Sequence, residues 1–249
     1  MVQIIILAGG MGKRMQSTIP KVLIEFQKKP MLVHVIQQSV QLNPDKILIV
    51  VGKTTKDIIR ETITDWFPHV STIEYVLQET PLGTGHAVQC CVPHLNDSGD
   101  VIILSGDVPN IRAKTIASVF DLNGVIHATP SSKLLAFVPD NNYGYGRVVR
   151  AKTEFLSICE EKDCDEETRK IEVCNAGVYC IPYNALKKYI FSIKNDNCVG
   201  EYYLPDIFSV MRNEKDEHIR VCMLPTSKNS EVMGVNTPEQ LSMLEKKLA

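Results

Sequence analysis

A chain of 249 residues, 44% hydrophobic and 22% charged, has ordinary globular composition and is long enough for one large domain or two small ones. Its 27 basic and 29 acidic side chains leave a formal net charge of -2. That excludes a diffuse positive field for nucleic acid or an anionic membrane surface, so a polyanionic ligand has to be met by local cations.

The N-terminal MVQIIILAGG holds an apolar run only over residues 4–8, with no basic segment before it. It reads as a buried strand rather than a signal peptide. Nowhere does the chain approach the ~20 apolar residues of a membrane span. The eight cysteines include no C-x-x-C pair and read as reduced thiols of a cytoplasmic protein. Strand-like runs at 2–7, 46–51, 73–77 and 101–105 alternate with helix-like stretches at 31–42, 55–65 and after Thr84. Such alternation marks right-handed crossover units on a parallel sheet, so a doubly wound α/β core is expected to be complete by Asp107. Beyond Asn123 the segments shorten to 124–128, 134–138, 147–151 and 155–159, broken by the turn-forming PDNNYGYG. This half is expected to add mixed or antiparallel strands to the parallel core. A buried strand at 172–181, a short helix at 205–213, a strand at 218–224 and a helix opened by Thr237-Pro238 complete the expectation.

The first segment with chemical content is LAGGMGKRM, residues 7–15, directly after the first strand. A glycine-rich turn there brings backbone N–H groups close to a phosphate, and glycine is needed because a Cβ blocks both the positive φ angles and the approach. Neither the dinucleotide fingerprint nor the P-loop pattern is present. Arg14 in the turn and Lys21 behind Pro20 supply one guanidinium and one ammonium, a pair able to neutralise charge building on a triphosphate. Asp107 ends the strand VIILSGD, where open α/β sheets place ligands. The charged stretch 160–170 reads as a solvated loop.

LAGGMGKRM followed by PKVL resembles the signature of the sugar-1-phosphate nucleotidyltransferases. QETPLGTGHAV, SGDVP, YGRVVR, EEKD, NAGVY, GEYYLPD and EVMGVN then resemble, in order and spacing, the uridyltransferase domain of bacterial bifunctional N-acetylglucosamine-1-phosphate uridyltransferases. The resemblance covers nearly the whole chain. It implies a Rossmann-like, doubly wound, mixed and mainly parallel sheet, with residues 1–249 as one domain: a nucleotide-binding half at 1–123, a sugar-binding half at 124–235 and a closing helix at 236–249. It also implies the joining of UTP to N-acetylglucosamine 1-phosphate with release of pyrophosphate. By the same resemblance Leu7, Ala8, Gly9, Gly10, Gly12, Gln78, Leu82, Gly83, Thr84, Ser105 and Gly106 meet the nucleotide, while Arg14 and Lys21 stabilise the transition state. Asp107 and Asn236 hold Mg²⁺, and Gly146, Glu160, Asn175, Tyr203 and Asn236 meet the sugar, with Lys162 on its phosphate. His86 is expected to cap or pack.

Gly9 and Lys13 stand where the bacterial enzymes carry alanine and threonine, Ser105 where they carry tyrosine, and Pro205 where they carry threonine. The left-handed β-helix of the bifunctional proteins has no counterpart, so a monomer or homodimer is expected rather than their trimer, without acetyl transfer. Other acceptors, such as glucose 1-phosphate or phosphocholine, and a non-catalytic regulatory module remain the alternatives. Retention of Arg14, Lys21 and Asp107 weighs against the last.

Overall fold

The structure is a computed structural model describing residues 1–10, 12–15, 17–122, 131–152, 154–214 and 218–248. The expected segment 124–128 and the expected boundary at 123 lie outside them. The first half runs β1 (Val2–Leu7), β2 (Glu25–Phe26), β3 (Lys29–Pro30), α1 (Met31–Val40), β4 (Lys46–Gly52), α2 (Lys56–Trp66), β5 (Ile73–Gln78), α3 (Thr84–Cys91), β6 (Asp100–Ser105) and α4 (Ala113–Val119). There follow β7 (Ser132–Phe137), β8 (Arg147–Ala151), β9 (Glu154–Cys159), α5 (Glu166–Arg169), β10 (Cys174–Pro182), α6 (Tyr183–Tyr189), α7 (Asp206–Arg212), β11 (Ile219–Met223) and α8 (Pro238–Leu248). The small β2–β3 hairpin and the helices α4, α5 and α6 were not legible in the sequence. They are short, and tertiary burial rather than a long apolar period defines them.

The main sheet has the order β11-β7-β10-β6-β1-β4-β5, with the β8–β9 hairpin attached to β10. Strands β6, β1, β4 and β5 are mutually parallel. β10 runs antiparallel to both β6 and β7, and β11 lies parallel to β7. The mixed sheet expected of the second half is therefore present.

Both faces of β1, β4 and β6 are covered, which is why they read as continuous apolar runs, whereas β5 lies at the sheet edge with Glu74 exposed. Ile4, Ile6, Ile47, Ile49, Ile102 and Leu104 turn into one core, while Ile5, Leu48, Val50, Val101 and Ile103 turn into the other. The chain steps from β1 outward to β4 and β5, then crosses back to place β6 on the other side of β1. That reversal opens a crevice beyond the carboxyl ends of β1 and β6. Leu7, Ser105 and Asp107 stand at its mouth.

A smaller cluster of Met15, Phe26, Met31, Val235 and Leu244 fastens α8 beneath the glycine-rich turn. No helix among the described residues is long and apolar enough to cross a membrane. Because Leu244 is fully buried whereas its neighbour Met243 is 52% exposed, Leu244→Ala is expected to cost about 2–5 kcal/mol. Met243→Ala should leave the urea midpoint essentially where it is.

Candidate active site

The crevice holds two adjoining lobes of about 290 and 380 Å³ that share Leu7, Thr84, Ser105 and Asp107. Ala8, Gly9, Gly10, Lys21, Gln78 and Gly83 line the first lobe. Arg14, Gly146, Glu160, Asn175, Pro205 and Asn236 line the second. Residues separated by more than two hundred positions thus meet at one seam.

Charge is concentrated where the lobes join. Lys21 Nζ forms an ion pair with Asp107 Oδ2 and donates to Asn236 Oδ1 at 2.8 Å. Arg14 Nη2 donates to the same amide oxygen at 3.2 Å, and Ser105 Oγ donates to Asp107 Oδ1 at 2.7 Å. The positions of these groups follow from local sequence. Val22 and Leu23 are buried behind Lys21, so its stem is anchored while its head reaches the crevice. Gly12, at φ +64°, folds directly over that stem, and a Cβ there would stand 2.3 Å from Lys21 Cβ. Only glycine allows the turn and the lysine to coexist. Asn236 is held from both sides: the adjacent Val235 N–H donates to Asp107 O at 2.9 Å, and Asn236 N–H donates to Gln240 Oε1 of α8 at 2.7 Å.

Asp107 Oδ2 and Asn236 Oδ1 converge on a single cationic point, the Lys21 ammonium. A carboxylate and an amide oxygen so placed fit Mg²⁺, which commonly takes few protein ligands and completes its shell with water and substrate phosphates. Among the described residues no group of three or more His, Cys, Asp or Glu is placed to hold a metal, so oxygens from bound substrate would have to complete such a shell.

In the second lobe the adjacent glutamates have opposite environments. Glu160 faces the cavity, and its carboxyl is pushed up to about 7 by burial and by the nearby Asp206 and Asp163, against the pull of Arg147. Glu161 is partly desolvated, yet hydrogen bonds from the Gly144 N–H and Arg147 hold it below the usual range. Its Oε2 lies 2.8 Å from Arg147 Nη1 and 3.0 Å from Gly144 N. Arg147 is 1% exposed, so this pair ties the Tyr145–Gly146 backbone to the 160–163 turn. A Cβ on Gly146 would stand 3.0 Å from both Glu160 Oε1 and Ile158 Cγ2. Glycine is required there first to admit Glu160. Asn175 lies where β10 shifts register between Asn175 and Tyr179, an irregularity of the kind that re-aims side chains beside active sites. Gly177, at φ +68°, makes the bend, Asn175 Oδ1 accepts from Gly177 N–H at 3.1 Å, and Asn175 Nδ2 donates to Tyr179 Oη at 2.7 Å.

A strap over residues 198–205 spans both lobes. Tyr202 N–H donates to Leu82 O at 2.8 Å and Tyr202 O accepts from Gly85 N–H at 2.7 Å, while Leu204 N–H donates to Thr84 Oγ1 at 3.0 Å. At its other end Cys198 N–H donates to Asp163 Oδ1 at 2.9 Å, and the Tyr203 hydroxyl bonds the same carboxylate. Gly83, at φ +114°, passes beneath, where a Cβ would lie 2.5 Å from Tyr202 O. Pro205 immediately precedes α7, where a missing N–H breaks no helical bond.

Some expected residues sit behind the crevice rather than in it. Gly12, Leu82, Gly106, Lys162 and Tyr203 line neither lobe. Gly12 makes room for Lys21, and Gly106 N–H bonds Leu7 O at 2.9 Å to join β6 to β1. Leu82 is 40% exposed and contributes its carbonyl to the strap. Lys162 is exposed on the 161–163 turn. Conversely, Arg147, Glu161, Asp163 and Glu201, which lines the first lobe, were not singled out. Glu161 and Asp163 belong to the stretch that read as a solvated loop, Arg147 to an expected strand and Glu201 to the GEYYLPD motif; only their partners distinguish them.

Residues 4–171 match the MobA-like NTP transferase domain. A probable UDP-N-acetylglucosamine pyrophosphorylase of Acanthamoeba polyphaga mimivirus is 42% identical over 97% of this chain and 94% of its own length. The bifunctional protein GlmU of Legionella pneumophila strain Lens is 39% identical over 98% of this chain, which spans about half, 51%, of that protein. Among solved structures, a UDP-glucose pyrophosphorylase complexed with UDP-glucose superposes at a TM-score of 0.73 with 13% identity, over 99% of this chain and 97% of that one. That likeness is one of fold.

The Glu160 environment has a consequence for stability. A carboxyl raised from 4.5 to about 7 favours the folded state when protonated, and this contribution is lost as pH rises from about 4.5 through about 7. The melting temperature of Glu160→Gln is therefore expected to gain on the parent across that window and to hold its advantage above it. A difference that stays flat with pH would contradict the assigned environment.

Proposed function

The chain belongs to the MobA-like NTP transferase domain family and is a nucleotidyltransferase. From that premise we propose that it joins UTP to N-acetylglucosamine 1-phosphate, forming UDP-N-acetylglucosamine and pyrophosphate. What carries the reading is the seam between the lobes, where Arg14, Lys21, Asp107 and Asn236 meet. Its support in sequence is the likeness to relatives named for that product.

In this reading the first lobe takes the nucleotide, with the uracil beside Gln78 and Gly83 and the phosphates along the glycine-rich turn. The second lobe takes the sugar phosphate. Glu160, when ionised, accepts from sugar hydroxyls, and Asn175 can meet both a hydroxyl and an amide carbonyl. A phosphate oxygen of the sugar 1-phosphate attacks the α-phosphorus of UTP in line; the new P–O bond forms as the bond to the β-phosphate oxygen breaks, and pyrophosphate departs. No side chain needs to become a nucleophile. Arg14 and Lys21 place two positive charges beside the reacting phosphates, and most of the acceleration comes from alignment and charge stabilisation. Asp107 and Asn236 would hold Mg²⁺, whose chemistry there is to screen the two phosphates from one another. Lys21 would then exchange its present partners for phosphate oxygens. We place the protein in the cytoplasm.

The test is pyrophosphate release with Mg²⁺, crossing UTP, CTP, dTTP and ATP against N-acetylglucosamine, glucosamine and glucose 1-phosphates. Turnover is expected with UTP and N-acetylglucosamine 1-phosphate, to vanish with EDTA and return with Mg²⁺, and to fall roughly 100-fold or more in Asp107→Ala. Turnover with a different pair would reassign the substrate. None with any pair would move the protein to a binding role.

A further inference from the structure

Gln78 ends β5, is only 7% exposed and lines the first lobe. Its side-chain nitrogen has two hydrogens, and both have partners: Gly83 O at 3.0 Å and His86 Nδ1 at 3.0 Å. The amide is therefore committed at its nitrogen end and offers its oxygen. Oε1 turns toward the glycine-rich turn, such that a Cβ built on Gly9 would stand 3.4 Å from it. For Nδ1 to accept, the His86 proton has to sit on Nε2, the nitrogen that faces Cys90 Sγ at 4.0 Å.

We infer that His86, half-buried in the first turn of α3, is a positioning residue for base selection: by accepting from Gln78 it makes the first lobe show the base a hydrogen-bond acceptor rather than a donor. This rests on the reading above, that the first lobe takes UTP. Uracil carries an N–H at N3, and cytosine carries a lone pair at the same position. An amide oxygen facing N3 accepts from uracil and repels cytosine, whereas a flipped amide would reverse the preference. With the His86 proton on Nε2, a flip would set Oε1 against the Gly83 carbonyl and the Nδ1 lone pair at once. Without the histidine acceptor only the carbonyl opposes it. A buried polar group with one defined orientation discriminates far better than one free to rotate.

The test compares kcat/KM for UTP and for CTP in the parent, His86→Phe, which keeps a ring but no acceptor, and His86→Asn, whose Oδ1 branches at the same position as Nδ1. Each is also made in a Gln78→Leu background. The UTP-to-CTP ratio is expected to fall about tenfold in His86→Phe and to recover in His86→Asn, with KM for the sugar phosphate unchanged. In the Gln78→Leu background His86→Phe should change the ratio no further. An unchanged ratio, an equal loss on both nucleotides, or the same effect without Gln78 would each overturn the inference while leaving the function standing. A parent that does not prefer UTP would remove the functional reading itself, and this inference with it.

Discussion

The convergence of Lys21 on Asp107 and Asn236 is the interaction on which the rest of the site depends. It joins the end of β6, the segment after the glycine-rich turn and the entry to α8, beside the Val235–Asp107 backbone bond and the apolar cluster that seats α8. A carboxylate at this depth is costly unless a cation answers it. Lys21 is that cation here, and in the proposed catalytic state the metal would replace it. On that proposal the same pair of oxygens would serve the free protein and the reaction, with only the cation changing.

Around this point the fold separates two tasks. The parallel half offers a rigid edge, since β1 and β6 are buried on both faces and their carboxyl ends cannot shift without disturbing two cores. The other half shares those cores through β7, β10 and α7, but presents its lobe from a hairpin, a register shift and loops braced by polar contacts such as Arg147–Glu161 and Asp163–Tyr203. The 198–205 strap links the halves by backbone hydrogen bonds on one side and a carboxylate on the other. Because it touches both the 82–85 loop and the 163 turn, disturbance in one lobe is expected to be felt in the other.

The EEKD turn illustrates how position decides chemistry. Two identical carboxylates one residue apart differ because one meets a buried arginine and a backbone N–H, while the other meets apolar surface and further carboxylates. Desolvation and like charge raise Glu160, whereas pairing lowers Glu161. In the proposed function, substrate contact and scaffold bracing would thereby be divided between neighbours.

Much of the parallel half was legible in the sequence, because strands buried on both faces leave uninterrupted Val and Ile runs and β1, β4, β5 and β6 fall within a residue or so of their expected bounds. The ordered motifs, through the family resemblance they carry, likewise pointed to Asp107, Asn236, Arg14 and Lys21, which singly would read as turn formers or surface charges. Tertiary structure alone decided what each polar group does. That Gly12 clears Lys21, that Gly146 admits Glu160, that Glu161 pairs with Arg147 and that His86 touches Gln78 are facts of distance between residues that lie on different turns, strands and helices. Local pattern carries burial and backbone freedom, but a hydrogen bond or a shifted pKa belongs to a pair, and only the fold chooses the partners.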